Sequence, residues 1–258
     1  MTHHISIEDA KKLVAGPLGS EMAKFPLRFA KPTFFGDIPR NNTSAKINNG
    51  TVSLINFGDG PLAITCFHVL TPYKDKIGKG EKCLFQIGAC RLDPLKQLIS
   101  ESEELDIAVI RLTEKQANEI TNDDMIGSSF FQPTSWPPQP ILKDEYVIFG
   151  GFPGKWRTQL ATAALEFGTY SSGGSRVVTI GDTYFITQFE RECWIQTLGA
   201  KDAINLTEIG GLSGGPAFVS RGLRFDFVGI IYQFSSNFEL LYFRHSNILK
   251  SDGQINNV

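Results

Sequence analysis

Three short segments carry residue types that could do acid–base and nucleophilic chemistry. Ile64-Thr65-Cys66-Phe67-His68-Val69-Leu70 puts a histidine at the end of an apolar run. Leu105-Asp106-Ile107-Ala108-Val109-Ile110-Arg111-Leu112 opens a strand that otherwise reads as buried with an aspartate. Gly210-Gly211-Leu212-Ser213-Gly214-Gly215-Pro216 embeds one serine among four glycines and a proline. Taken singly, these could be a core histidine, a turn carboxylate and a plain loop. Together they describe acyl transfer by serine. The hydroxyl needs a base to take its proton, and the imidazole needs a carboxylate to fix its tautomer and stabilise its charged form. Glycines let backbone N–H groups converge on a developing oxyanion.

These residues have to be positioned by strands. The segment 51–57 is β-prone, Gly58-Asp59-Gly60 is a hairpin turn, and Pro61 to Val69 is a second apolar run. Lys82 to Gly88 and Leu105 to Leu112 are further strand candidates, and Lys115 to Thr121 suits a helical turn. Residues 132–140 hold four prolines, which excludes a central strand or helix interior and reads as a linker. The β pattern resumes in 145–149, 176–180, 183–189, 217–219, 224–233 and 239–244, with Ser171-Ser172-Gly173-Gly174 as a turn. Ser6 ahead of Glu8 and Asp9 caps a short helix over Ile5 to Ala15. The expected class is all-β: two packed antiparallel six-stranded barrels behind a short N-terminal helix. Its divisions are an extension over 1–24, a first barrel over 25–131 with His68 and Asp106, the linker, and a second barrel over 141–258 with Ser213. The spacings, 106 − 68 = 38 and 213 − 106 = 107 residues, then put the site in the cleft between halves.

ITCFHVL, LDIAVIRL and GLSGGP resemble the histidine, aspartate and nucleophile motifs of chymotrypsin-like (trypsin-like) serine peptidases. Gly150-Gly151-Phe152-Pro153-Gly154 is similar to a glycine–proline corner of the non-secreted bacterial members. The resemblance implies the double-barrel fold, with His68, Asp106 and Ser213 as catalytic triad and an oxyanion hole from the N–H groups of Gly211 and Ser213. It also implies a substrate-binding strand over Phe227 to Phe234, with Tyr232, Gln233 and Phe234 along the peptide and Thr207 at the pocket floor. Phe234 and Leu240 stand where the family has glycine, so a shallow pocket for small uncharged side chains is expected. Glu208 beside the floor leaves a basic preference open.

Three departures bear on that implication. Leu212 replaces the acid that pairs with a freshly cut N-terminus in secreted members, so activation by trimming is not expected. Tyr232 replaces the small hydroxyl residue that supports the aspartate. The disulfide flanking the histidine is missing. The primary expectation is therefore a serine endopeptidase acting on peptide or protein substrates, with ordering of its loop by an activating partner as a conditional form of the same reading. An alternative, motivated by Leu212 and Tyr232, is a silent protease-fold binding or regulatory module.

Composition excludes other classes. With 25 basic and 27 acidic residues among 258, the chain has no electrostatic footprint for nucleic acid or an anionic membrane. Cys66, Cys83, Cys90 and Cys193 form neither a CxxC pair nor a disulfide framework. The opening MTHHISIEDAKKLVAG lacks a signal-peptide pattern, so a cytoplasmic location is expected. Gly154-Lys155 lacks the rest of a phosphate loop, and Asn122-Asp123-Asp124-Met125 lacks the ligand pattern of a calcium loop. With His68 in the triad, no histidine–cysteine cluster is left at metal-ligand spacing, and no cofactor is called for.

Overall fold

The computed structural model describes residues 6–37, 46–122, 127–161, 164–189, 209–222 and 224–256. Helix α1 (Ile7–Ala15) begins at Ser6, whose hydroxyl accepts from the Asp9 N–H. Gly16 ends it, and Pro17 at the first turn starts α2 (Pro17–Arg28). The extension is thus two helices, the second running past residue 24.

The first half is a seven-stranded antiparallel sheet with β1 (Ala30–Asp37), β2 (Ile47–Asn56), β3 (Pro61–Thr65), β4 (Cys83–Ile87), β5 (Cys90–Leu92), β6 (Leu98–Ser102) and β7 (Ile107–Arg111). Its order is β5-β4-β1-β2-β3-β7-β6. The β2–β3 hairpin turns at Gly58 and Gly60, with φ of 117° and 106°. Helices α3 (Phe67–Gly78), α4 (Pro94–Gln97) and α5 (Glu114–Asn122) complete this half.

The linker holds no regular element, but Trp136 fastens it. Its indole N–H donates to Leu249 O at 3.0 Å, and its ring lies 4.2 Å from that of Phe57. Strands β8 (Tyr146–Gly151), β11 (Tyr170–Ile180), β12 (Tyr184–Gln188), β13 (Pro216–Arg221), β14 (Arg224–Ser235) and β15 (Leu240–His245) close a barrel in the order β11-β12-β15-β14-β13-β8. A separate hairpin pairs β9 (Arg157–Ala161) with β10 (Ala164–Phe167). This is the two-barrel arrangement of the chymotrypsin-like fold: a closed barrel and a curled sheet packed together.

Three apolar clusters account for the assembly. One fills the first half around Phe35, Leu54 and Phe85, and one fills the barrel around Phe149, Phe185 and Phe243. The third joins the halves, with Ile55, Leu62 and Ile64 packed with Ile148, Phe218, Phe227 and Ile230. Burial of side chains this large contributes roughly 1.5–3 kcal/mol each, so the seam between halves is a core in its own right.

Two local expectations change. The run 61–69 is not one strand: β3 stops at Thr65, and His68 is the second residue of α3, whose inner face buries Val69, Leu70 and Tyr73. That helical spacing won over the local β propensity. Ser171 to Gly174 is not a turn either. It lies inside β11, where the register to β8 shifts between Ser172 and Ser175, so the glycines serve a bulge.

Candidate active site

Asp106 precedes β7 in the left-handed region, at φ 50°, a conformation that aspartate tolerates better than most residues. The turn, closed by its N–H on Glu103 O, aims the carboxylate at the start of α3. Oδ2 lies 2.7 Å from His68 Nδ1, and Oδ1 accepts from the His68 backbone N–H at 2.9 Å. The N-cap residue of α3, Cys66, makes no side-chain cap bond. Asp106 therefore caps the helix from outside it, with its charge at the positive end of the helix dipole. One carboxylate orients the imidazole and fixes the backbone that carries it. His68 is half-exposed (51%), while Asp106 is mostly covered (20%), so the ring edge remains open to a reacting group.

Ser213 lies between the halves on a loop held mainly by its carbonyls. Thr51 N–H donates to Ser213 O at 2.9 Å, Thr51 Oγ1 to Gly211 O at 2.7 Å, and Ser53 Oγ to Gly214 O at 2.7 Å. Thr51, Ser53 and Thr65 are fully buried, and Thr65 Oγ1 donates to Thr51 O at 2.8 Å. From the barrel side, Gly214 N–H donates to Ile231 O at 2.7 Å. The same Ile231 O accepts from Cys66 Sγ at 3.2 Å. One carbonyl thus ties the residue after Ser213 to the residue two before His68.

The loop glycines are required by space. Gly214 has φ 92°, and a Cβ there would sit 2.0 Å from Thr51 O. Gly211 has φ 100°, and a Cβ there would sit 2.6 Å from Asn49 Nδ2. Peptide planarity then directs two donors. Gly210 O accepts from Gly154 N–H, so the Gly211 N–H points the other way. Leu212 O accepts from Gly215 N–H, so the Ser213 N–H points away from Gly215. Neither N–H donates to another group among the described residues.

The sequence-expected residues divide clearly. His68 and Asp106 are brought into direct contact, Ser213 and Gly211 share one loop, and among the described residues no hydrogen bond joins His68 to Ser213. Tyr232, Gln233 and Phe234 lie on β14 beside that loop. Tyr232 does not take over the support of Asp106. The register between β14 and β15 shifts at this residue, and its ring covers the Arg244 guanidinium at 4.4 Å. Burial pushes the Tyr232 phenol up. Phe234 packs against the barrel core, 5.7 Å ring to ring from Phe189. Thr207 and Glu208 lie outside the described residues, as does Cys193.

Cys66, His68 and Asp106 place a thiol, an imidazole and a carboxylate within 4.8 Å of one another, a trio that could bridge a soft cation. Burial, and then the Asp106 charge, push the Cys66 thiol well up, and its S–H is committed to Ile231 O. A neutral thiol is a poor ligand. Sequence reading missed Thr51 and Ser53. Their one signal is two hydroxyls at alternate positions, either side of Val52, in the buried run of β2.

No family model matches the chain, and no curated protein matches it. Solved structures similar in overall shape include the active form of the Rv3671c protease from M. tuberculosis, at 14% identity and TM-score 0.43, covering 91% of this chain and 81% of that one. The protease of tobacco vein mottling virus is similar at 16% identity and TM-score 0.43, covering 83% and 76%. A thermostable serine protease from an extremophilic microorganism is similar at 13% identity and TM-score 0.46, covering 84% and 91%.

Proposed function

We propose that this protein is a serine endopeptidase. Ser213 Oγ attacks the carbonyl carbon of a peptide bond while His68 Nε2 takes the hydroxyl proton. The carbonyl oxygen becomes an oxyanion facing the Gly211 and Ser213 N–H groups. Protonated His68, held by Asp106, gives the proton to the leaving nitrogen as the C–N bond breaks. Water then attacks the acyl-enzyme with His68 again as base, releasing the new carboxylate and restoring Ser213. The acyl half of the peptide lies along Tyr232, Gln233 and Phe234.

The observation that carries this reading is the two-pronged grip of Asp106 on His68, together with a glycine-rich serine loop whose Gly211 and Ser213 N–H groups donate to nothing among the described residues. A silent module needs neither a fixed tautomer nor a prepared anion site. A hydroxyl rather than a thiolate is the nucleophile in this reading, because residue 213 is serine and Cys66 is buried with its thiol pushed up. The bonds that Thr51, Ser53 and Ile231 make with the loop support a nucleophile segment ordered in this conformation. The test is hydrolysis of a peptide library by the protein and by Ser213→Ala. The expected loss is roughly five to six orders of magnitude in turnover. Equal cleavage by both proteins, or none by either, contradicts the proposal.

A further inference from the structure

The nucleophile loop has two unlike ends. At one end, Gly214 and Gly215 bond to Ile231 of β14, the strand assigned above to the acyl half of the substrate. At the other end, Gly211 abuts Asn49 and Gly154. A peptide chain crossing Ser213 therefore passes from β14 toward Asn49, and its leaving half lies on the Asn49 side.

Asn49 does not stand alone there. Its Nδ2 donates to Phe152 O at 3.3 Å, and its Oδ1 accepts from Arg157 Nη1 at 2.7 Å. Arg157 opens the β9–β10 hairpin, which packs on the first half through the rings of Phe34 and Phe167, 5.0 Å apart. The arginine is half-buried, and that burial lowers its pKa, with no charged neighbour contributing. Among the described residues no carboxylate pairs with it, and Asn49 Oδ1 engages one of its five N–H donors. A guanidinium partly withdrawn from water without an anion is costly to keep, and its planar fork matches a carboxylate in two parallel bonds.

We propose that Arg157, steered by Asn49, is a specificity-determining residue that selects a carboxylate side chain within the first few positions after the scissile bond. The inference rests on the endopeptidase reading for its orientation, since that reading decides which half of the peptide departs. Its chemistry is ordinary charge-assisted recognition. The acid closes the open donors of Arg157 and removes the cost of an unpaired cation beside the oxyanion loop.

The test uses the full chain and matched peptides carrying Glu or Gln at each of the three positions after the cleaved bond. In Ser213→Ala, fluorescence anisotropy of the labelled peptides should show a Glu preference of about tenfold or more at one position, shrinking as salt rises. Adding Arg157→Gln should bring the ratio near one. Asn49→Asp should do the same with the arginine kept, because an internal carboxylate then neutralises it in place. In the active protein, kcat/KM should show the same preference. A ratio near one in the parent protein, a preference that survives both substitutions, or no binding of any acidic peptide overturns the proposal. Hydrolysis without an acidic preference sinks the specificity alone. An Arg157-dependent preference in a protein that cleaves nothing sinks the hydrolase reading and leaves the acid site standing.

Discussion

The two sides of the cleft are built on different principles. The base side pairs within one half: His68 and Asp106 both belong to the first half, 38 residues apart, and hold each other through two bonds. The nucleophile side does not. Its loop belongs to the second half, yet three of its carbonyls are held by donors from β2. The difference teaches where fragility should lie. Substitutions in the first half can damage both sides, whereas substitutions in the barrel reach the imidazole and its carboxylate only indirectly, through contacts such as the Cys66–Ile231 bond.

The largest expected effect on the base side comes from Asp106→Asn. It keeps the shape but favours the wrong tautomer, and turnover in a peptide assay should fall about 10⁴-fold. A loss under about tenfold removes the carboxylate from the account. On the nucleophile side, Gly214→Ala forces a side chain into a left-handed residue against Thr51 O. Urea denaturation should show a loss of about 3 kcal/mol. An unchanged midpoint means the loop is not clamped.

Thr51→Val sharpens the comparison most, since it alters the first half and acts on the second. It strands the Phe152 N–H and the Gly211 carbonyl, which Thr51 Oγ1 now serves. Stability should drop by about 1–3 kcal/mol and kcat should fall, with Thr51→Ser recovering most of both. The His68 ring signals in NMR should stay in place. If they move as much as in Asp106→Asn, the two sides are not separable.

The smallest effect concerns His245, at the end of β15. Burial holds its imidazole below its usual pKa, and Nε2 lies 3.1 Å from Gly181 O. The unfolded chain therefore takes up this proton first as pH falls through about 6.5, and stability drops on acidification below that point. His245→Gln should flatten the fall in Tm between pH 7.5 and 5.5. Parallel curves contradict the assignment.

The sequence showed the parts that local pattern can encode. Apolar runs bounded by glycine marked β2, β4, β8 and the strands β12 to β15, and the density of glycine singled out Ser213. It hid β1, because Lys31 and Pro32 interrupt the pattern. The missing N–H of Pro32 is tolerated because β1 pairs with β4 only from Thr33 onward. It also hid the roles of Thr51, Ser53, Asn49 and Arg157. The hydroxyls of β2 meet carbonyls about 160 residues away, and no local period records such a partner. The His68 helix is hidden for the opposite reason: residues 66–70 carry β-prone types, and only tertiary packing of Val69, Leu70 and Tyr73 decides between strand and helix.

The most direct test of the central claim is labelling with a fluorophosphonate probe followed by peptide mapping. The account predicts one adduct, on Ser213, and its loss in His68→Ala, because the hydroxyl is then deprived of its base. An adduct that forms equally without His68, or forms elsewhere, or does not form on the folded protein, contradicts it.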